Sequence, residues 1–126
     1  MSKILLVEDD IEVLELYKRI FTLEKFDLLT AADGEQGLKT AFAEKPALVL
    51  LDIMMPKMDG FQVLLRLKSS PETKDIPVII LTNLAGVKEA ESCLYIGAQK
   101  YLVKSETEPK QVVDVVKEIL GVTSII

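Results

Sequence analysis

Short apolar runs alternate along the chain with longer segments in which apolar residues recur at helical spacing. Five runs of four to six residues are interpreted as buried strands at residues 3–7, 26–31, 47–51, 77–81 and 100–103. The segments between them carry apolar residues every three or four positions, which predicts helices. Their expected bounds are residues 11–23, 35–44, 61–68, 86–96 and 109–120. The pattern therefore predicts five consecutive strand–helix units.

The predicted strands are apolar at most positions rather than at alternate ones. Strands of this kind are typical of a parallel sheet that is covered by helices on both faces. Five strand–helix units in 126 residues suit an open sheet, because an eight-stranded barrel needs about 250 residues. We expect an α/β fold, a doubly wound five-stranded parallel sheet in the flavodoxin-like order 2-1-3-4-5 with five helices. The length predicts a single domain over residues 1–126.

Composition narrows the chemistry that such a domain can perform. Fifteen basic and 20 acidic residues give a net charge of −5, and an acidic domain lacks the basic surface that binds nucleic acid directly. The absence of histidine removes the usual general base and the usual zinc ligand. A single cysteine, Cys93, excludes an internal disulfide and fits a reducing cytoplasm. No apolar run approaches the ~18 residues of a membrane span, so we expect a cytoplasmic protein with no membrane contact.

Polar residues follow the predicted strands at the points where those strands end. In open parallel sheets, ligands bind outside the carboxyl ends of the strands, at the switch point between strands one and three. Three acids follow strand one, one acid follows strand three, and a threonine and a lysine follow strands four and five. These residues are Glu8, Asp9, Asp10, Asp52, Thr82 and Lys104.

Carboxylates that converge at this edge of the sheet are expected to repel one another. Two of them ~4 Å apart repel by about 1 kcal/mol in water and by about 4 kcal/mol at an effective dielectric constant of 20. A hard divalent cation converts that repulsion into binding, and Mg²⁺ keeps waters that a phosphate can displace. Asp52 is then the predicted nucleophile, since a carboxylate can accept a phosphoryl group. Thr82 and Lys104 can contact the phosphoryl oxygens.

Each of these residues also has an ordinary structural explanation. Asp9 or Asp10 can cap the helix that follows, and we expect this of one of them. Asp52 alone can cap a turn, Thr82 can simply end a strand, and Lys104 can be a surface lysine. Residues suited to the same chemistry follow four of the strands. This agreement favours the functional interpretation over the separate structural ones.

With these residues in view, the chain resembles the receiver domain of two-component response regulators, a family typified by the single-domain chemotaxis regulator. The resemblance extends from Lys3 to about Leu120. Its strongest motifs are ILLVEDD at residues 4–10 and LDIMMPKMDG at residues 51–60. Supporting motifs are PVIILT at residues 77–82 and GAQKYLVK at residues 97–104. Together these motifs are highly specific for the family.

The resemblance implies a phosphoacceptor and a metal site. Asp52 matches the phosphoacceptor of the family, and Asp9 matches the direct ligand of Mg²⁺ or Mn²⁺. Glu8 matches the second acid of the pair, which acts on the metal through water. The backbone carbonyl of Met54 matches the third protein ligand. The resemblance therefore implies a protein that catalyses only its own phosphorylation and dephosphorylation, and is otherwise not an enzyme.

The resemblance also implies a switch and a set of partners. Thr82 matches the hydroxyl that moves to the phosphoryl group, Lys104 the lysine that contacts it, and Tyr101 the aromatic that changes rotamer on activation. The phosphoryl group would come from a sensor histidine kinase or phosphotransfer protein. The signal would leave through the face of helix 4, strand 5 and helix 5 to a downstream target or output domain. Either a monomer or a weak, phosphorylation-dependent dimer fits this reading.

Three positions depart from the family pattern. Asn83 stands where a small residue is usual, and a larger side chain there is expected to narrow access to the phosphoryl group and slow its hydrolysis. Ser105 follows Lys104 where the family has a proline after a cis bond. Because a cis bond without proline costs ~3 kcal/mol, we expect a trans bond and an altered loop. Gln99 and Lys100 replace acidic residues of the family's dimer face, which weakens the case for that dimer.

Three other functions compete with the switch. An aspartate-nucleophile phosphatase typically needs a second aspartate two residues after the nucleophile, and Met54 occupies that position. A flavodoxin-like electron carrier needs a phosphate-binding loop after strand one, where this chain has three acids. A receiver-like scaffold that is never phosphorylated stays open as an alternative, although all the key positions are intact.

Overall fold

The computed structural model describes residues 2–55 and 58–121. Five strands and five helices alternate along this part of the chain, as the sequence predicts. The strands are β1 (Lys3–Val7), β2 (Asp27–Ala31), β3 (Leu48–Leu51), β4 (Val78–Thr82) and β5 (Lys100–Val103). The helices are α1 (Ile11–Leu23), α2 (Gly34–Glu44), α3 (Gly60–Ser69), α4 (Val87–Ile96) and α5 (Pro109–Leu120). A short 3-10 turn, Lys104–Glu106, follows β5.

The sheet is parallel, with strand order β2-β1-β3-β4-β5, which confirms the predicted topology. The register aligns the carboxyl ends of the two strands at the switch point, because Val7 of β1 pairs with Leu51 of β3. At the other side of the sheet, Thr82 of β4 pairs with Val103 of β5. The residues that follow these pairs therefore come out at the same edge of the sheet.

Helices cover both faces of the sheet and bury two apolar clusters. On one face, Leu5 and Val7 pack with side chains of α2, α3 and α4. On the other face, Ile4 and Leu6 pack with side chains of α1 and α5. Alternate residues of a strand point to opposite faces, so a strand that serves both clusters must be apolar throughout. This requirement explains the uninterrupted apolar runs in the sequence.

Aspartates at the carboxyl edge of the sheet start three of the helices. The side chain of Asp10 accepts hydrogen bonds from the first turn of α1, that of Asp33 from α2 and that of Asp59 from α3. Each carboxylate satisfies an amide that has no partner within its helix. The expectation that Asp9 or Asp10 acts as a cap is confirmed for Asp10.

Several element ends differ by one residue from the sequence prediction. Helices α2 and α3 each start one residue earlier, at a glycine directly after the capping aspartate. The predicted strand at 77–81 is shifted, since Thr82 is the last residue of β4 rather than the residue after it. Its pairing with Val103 holds Thr82 within the sheet. Among the residues that the structure describes, no helix is long and apolar enough to cross a membrane.

Candidate functional site

The two strands at the switch point bring Glu8 and Asp52 together. The amide of Glu8 donates to the Ala31 carbonyl at 2.9 Å, and that of Asp52 donates to the Val7 carbonyl at 3.1 Å. These bonds extend the sheet by one residue and fix both backbones. Glu8 is 1% exposed and Asp52 is 5% exposed. Two carboxylates are therefore buried side by side at the edge of an apolar sheet.

Asp9 completes an acidic cluster with Glu8 and Asp52. One carboxylate oxygen of each residue lies within 4.8 Å of the others. Asp9 is exposed, so the cluster is open to solvent on one side. At an effective dielectric constant of 20, two unit charges at this separation repel by roughly 3.5 kcal/mol. Each pair in the cluster therefore destabilises the fold unless positive charge compensates it.

Lys104 supplies positive charge to the cluster. Its Nζ donates to Oε1 of Glu8 and, at 3.0 Å, to Oδ2 of Asp52. The other oxygen of each carboxylate accepts a backbone amide, from Asp10 to Glu8 at 3.1 Å and from Met54 to Asp52 at 3.0 Å. Hydrogen bonds thus satisfy both buried carboxylates. No cation pairs with Asp9 within residues 2–55 and 58–121.

Glu8 and Lys104 both have a raised pKa, for different physical reasons. Burial raises the pKa of Glu8 above its usual range, and the charge of Asp52 adds to the effect, although Lys104 opposes it. Burial also lowers the pKa of Lys104, but its hydrogen bonds to Glu8 and Asp52 outweigh this and raise the pKa overall. Glu8 thus holds its proton more tightly than usual mainly because it is buried, and Lys104 because two carboxylates accept its hydrogen bonds. With three carboxylates and one ammonium, the cluster is short of positive charge.

The donor set fits a hard divalent cation. Three carboxylates and one ammonium leave two negative charges uncompensated. The two positive charges of Mg²⁺ or Mn²⁺ would balance them. Both ions take oxygen ligands. Met54, whose carbonyl is the predicted third ligand, lies beside the cluster, with its amide bonded to Asp52. Met54 is 53% exposed, so this residue lies at the solvent side of the cluster.

Thr82 and Tyr101 are connected through the backbone of Leu84. Thr82 is fully buried at the end of β4, and its Oγ1 accepts the Leu84 amide at 3.3 Å. The hydroxyl of the half-buried Tyr101 donates to the carbonyl of the same residue. The two predicted switch residues therefore meet at one peptide segment in the loop before α4. In this structure Tyr101 is already turned towards that loop.

Sequence reasoning missed two residues of this site. Leu84 acts through its amide and carbonyl, so its side chain gives no signal in the sequence. Gly60 lies against the loop after Asp52, where a Cβ atom would overlap the Asp52 carbonyl and the Ile53 backbone. Its amide also donates to the Ile53 carbonyl at 3.2 Å. The Asp-Gly pair at residues 59–60 was the available signal for such a close approach.

The three departures from the family pattern lie at or near the surface. Asn83 is exposed in the loop that leads to Leu84. The bond between Lys104 and Ser105 is trans, since the described ranges contain no cis peptide bond, and a 3-10 turn begins there. The expectation of a trans bond is thus confirmed. Gln99 and Lys100 are both exposed.

Comparisons with known proteins agree with this geometry. A family model described as the response regulator receiver domain matches residues 4–117. A probable transcriptional regulator, ycf27 of Cyanophora paradoxa, is 40% identical over 103 residues, which are 82% of this chain and 42% of that protein. The chain spans less than half the length of this curated relative and of others it matches, such as response regulator PleD of Caulobacter vibrioides.

Solved structures share the whole fold. A CheY-like receiver domain protein from Methanospirillum hungatei is 28% identical, with a TM-score of 0.89 over 96% of this chain and 94% of that one. The manganese-bound form of response regulator Rcp1 is 27% identical, with a TM-score of 0.83 over 100% of this chain and 99% of that one. The chain therefore shares its overall fold with these solved structures.

Proposed function

Because the chain belongs to the response regulator receiver domain family, a family of signalling domains rather than classical enzymes, we propose that it is a phosphorylation-dependent switch of a two-component system. Asp52 accepts the phosphoryl group from a sensor histidine kinase or a phosphotransfer protein. The observation that carries this proposal is the pair of buried carboxylates, Glu8 and Asp52, bridged by one lysine and open on the side of Asp9. A purely structural ion pair has no need of the third, uncompensated acid.

The same charge deficit supports a resident Mg²⁺ or Mn²⁺. Asp9, Asp52 and the Met54 carbonyl would hold the ion directly, and Glu8 would hold it through water, because Lys104 already engages Glu8. When bound, the ion would offset the charge of the phosphoryl oxygens. A manganese-bound form is known for Rcp1, a structural neighbour of this chain.

The transfer follows from the positions of Asp52 and Lys104. An oxygen of Asp52 forms the new bond to phosphorus, while the bond between phosphorus and the donor nitrogen breaks. Lys104 now donates to Asp52 at 3.0 Å, so a small movement carries its ammonium to the phosphoryl oxygens. Hydrolysis of the aspartyl phosphate by water returns the carboxylate and inorganic phosphate. The exposed Asn83 lies one residue beyond Thr82, where it can restrict the approach of that water.

The signal passes through the Leu84 segment to the face of α4, β5 and α5. Phosphorylation replaces one negative charge with roughly two and adds strong acceptor oxygens. Thr82 can donate its hydroxyl to one of them by moving inward. This movement would displace the Leu84 amide, which donates a hydrogen bond to the Thr82 Oγ1. Since Tyr101 donates to the Leu84 carbonyl, a shift of this segment changes the environment of Tyr101. The loop before α4 is therefore the element with two arrangements.

The partners and the setting of the domain complete the proposal. The chain forms a single receiver domain over residues 1–126, in the cytoplasm, and acts on a downstream protein or an output domain. The exposed Gln99 and Lys100 on the β5 side favour a monomer or a weak dimer that forms on phosphorylation. The curated relatives are longer proteins, of which this chain spans less than half.

Phosphorylation of Asp52 is tested with acetyl phosphate and Mg²⁺. Intact-mass spectrometry should show one added phosphoryl group, which EDTA should prevent. Asp52→Asn should abolish the addition, because the amide cannot accept the group in the same way. Asp59→Asn is the matched control, since that acid only caps α3, and it should label like the parent protein. Stoichiometric labelling of Asp52→Asn at another residue would refute the assignment.

A further inference from the structure

Helix α4 is held much less firmly than its neighbours on the same face of the sheet. Of its residues, all of which the structure describes, only Cys93 is buried, whereas α2 and α3 each bury four. At its first turn, Gly86 provides no side-chain cap, and Val87 is 74% exposed. Few buried contacts and an amino end without a side-chain cap are typical of a segment of low local stability.

The side chain of Lys68 in α3 lies against the opposite end of this helix. Its Nζ donates to the carbonyls of Lys74 and Ile76, at 3.0 and 2.7 Å, so it spans the loop between α3 and β4. Its aliphatic stem lies beneath Gly97, the residue that ends α4, where an added Cβ would be 3.1 Å from the Lys68 Cγ. Lys68 is half-buried, and this burial lowers its pKa, although the charge of Asp75 opposes the effect.

The backbone around Gly97 is also tightly bonded. The amides of Gly97 and Ala98 both donate to the Cys93 carbonyl, at 3.1 and 2.9 Å, and the Gln99 amide donates to Val78 of the sheet at 2.8 Å. Gly97 has a φ of 136°, a conformation that favours glycine because it has no Cβ. The segment after α4 is thus hydrogen-bonded to the sheet, and Gly97 packs against the stem of Lys68, whose Nζ is bonded to the loop before β4.

By contrast, the segment before α4 is connected to the sheet through Leu84, by hydrogen bonds to Thr82 and Tyr101. We propose that Lys68 is the pivot of α4: it holds the carboxyl end of the helix in place while the amino end moves with Leu84. The movement itself rests on the proposed function, whereas the pivot is a property of the unphosphorylated protein and can be tested in it.

If Lys68 is the pivot, amide hydrogen exchange should be slower at the carboxyl end of α4 than near its amino end. In the unphosphorylated protein, we expect the amides of Gly97 and Ala98 to exchange with deuterium at least tenfold more slowly than those of Ala90 and Glu91. Helices ordinarily fray at both ends, so this asymmetry requires a specific restraint at the carboxyl end. A profile that is flat, or slower at the amino end, would overturn the proposal without any variant.

Lys68→Met tests the restraint itself. Methionine keeps most of the stem but loses both hydrogen bonds, and we expect exchange at Gly97 and Ala98 to become about tenfold faster. Lys74→Met is the matched control, because it removes the same charge from an exposed side chain of the same loop and keeps the backbone carbonyl. It should change exchange less than twofold. Equal effects of the two variants would refute the role of Lys68, and Lys68→Arg, which keeps donors, should restore much of the protection.

Beryllofluoride separates this inference from the proposed function. In the parent protein, it should change amide chemical shifts strongly near residues 84–90 and weakly near residues 94–98. In Lys68→Met, the changes should spread along the whole helix. Strong changes at both ends of α4 in the parent protein would overturn the pivot. If beryllofluoride changes no shifts and Asp52 is not labelled, the proposed function fails, while the exchange result still decides the pivot.

Discussion

Replacing Lys104 by methionine removes the ammonium that bridges two buried carboxylates. Lys104 donates to both Glu8 and Asp52, and its side chain is only 15% exposed. Methionine has a similar volume and can fill the same space without a charge. Glu8 and Asp52 then lie close to each other and to Asp9, with oxygens within 4.8 Å. The variant therefore isolates the electrostatic role of the lysine from its packing.

The expected loss of stability is set by whichever costs less free energy, an unpaired buried charge or the protonation of Glu8. Leaving a buried charge without its partner costs about 3–5 kcal/mol. Glu8 can escape part of that cost by taking up a proton, which for a carboxyl of ordinary pKa costs about 3.7 kcal/mol at pH 7 and about 1 kcal/mol at pH 5. We therefore expect Lys104→Met to lower the free energy of unfolding by roughly 3–4 kcal/mol at pH 7, but by only about 1 kcal/mol at pH 5.

The sign of this pH dependence comes from Glu8. Its pKa is already raised by burial, and the effect of Lys104 that lowers it is lost in the variant. A group with a raised pKa stabilises the fold while it is protonated, and that contribution is lost as the pH rises above its ordinary pKa. The variant should therefore lose stability relative to the parent protein between pH 5 and pH 7. Mg²⁺ should recover part of the loss, because it supplies the missing positive charge.

Urea unfolding in EDTA, followed by circular dichroism, measures these quantities in a chain that has no tryptophan. Lys100→Met is the matched control, since Lys100 is exposed at the start of β5 and exposed substitutions usually change stability by less than about 0.5 kcal/mol. The reasoning would be refuted if Lys104→Met cost less than about 1 kcal/mol at pH 7. It would be refuted equally by a loss that is the same at pH 5 and pH 7.

Two further substitutions test the switch and the core. Thr82→Ala should still be phosphorylated on Asp52, but amide shifts across residues 83–108 should respond much less to beryllofluoride; responses equal to those of the parent protein would contradict the role of Thr82. Burial raises the pKa of the Cys93 thiol from 9.0 to about 11, so the stability of the parent protein should fall between pH 9 and pH 11 by up to about 2.7 kcal/mol. Cys93→Ala should lack that part of the alkaline loss, and parallel pH curves for the two proteins would contradict it.

The fold was predictable because one physical requirement repeats along the chain. Strands that are covered on both faces must be apolar at every position, whereas helices that lie on a sheet are apolar on one side only. The two patterns are therefore easy to distinguish in the sequence. The ends were less predictable because they depend on single hydrogen bonds. Asp33 and Asp59 start their helices one residue earlier than expected, and Thr82 stays within β4 through its pairing with Val103.

The acidic cluster could be predicted for a similar reason. Parallel strands end at the same edge, so the residues after β1 and β3 must meet there whatever their side chains do. The bond from Lys104 to Glu8 could not be predicted, because it depends on the reach of two flexible side chains. The role of Leu84 could not be predicted either, since it uses only backbone atoms. Sequence patterns report which side chains are present, whereas this connection depends on the path of the loop.

On the proposed function, the charge balance of the cluster accounts for one site that both binds a metal and responds to phosphorylation. With Glu8, Asp9 and Asp52 opposed by one ammonium, the site gains stability from any added positive charge. A divalent cation brings the cluster close to neutrality, and phosphorylation of Asp52 makes it negative again. The groups still able to respond are the ammonium of Lys104 and the hydroxyl of Thr82. Because the Thr82 Oγ1 accepts the Leu84 amide at 3.3 Å, the proposed movement of Thr82 would alter the loop before α4.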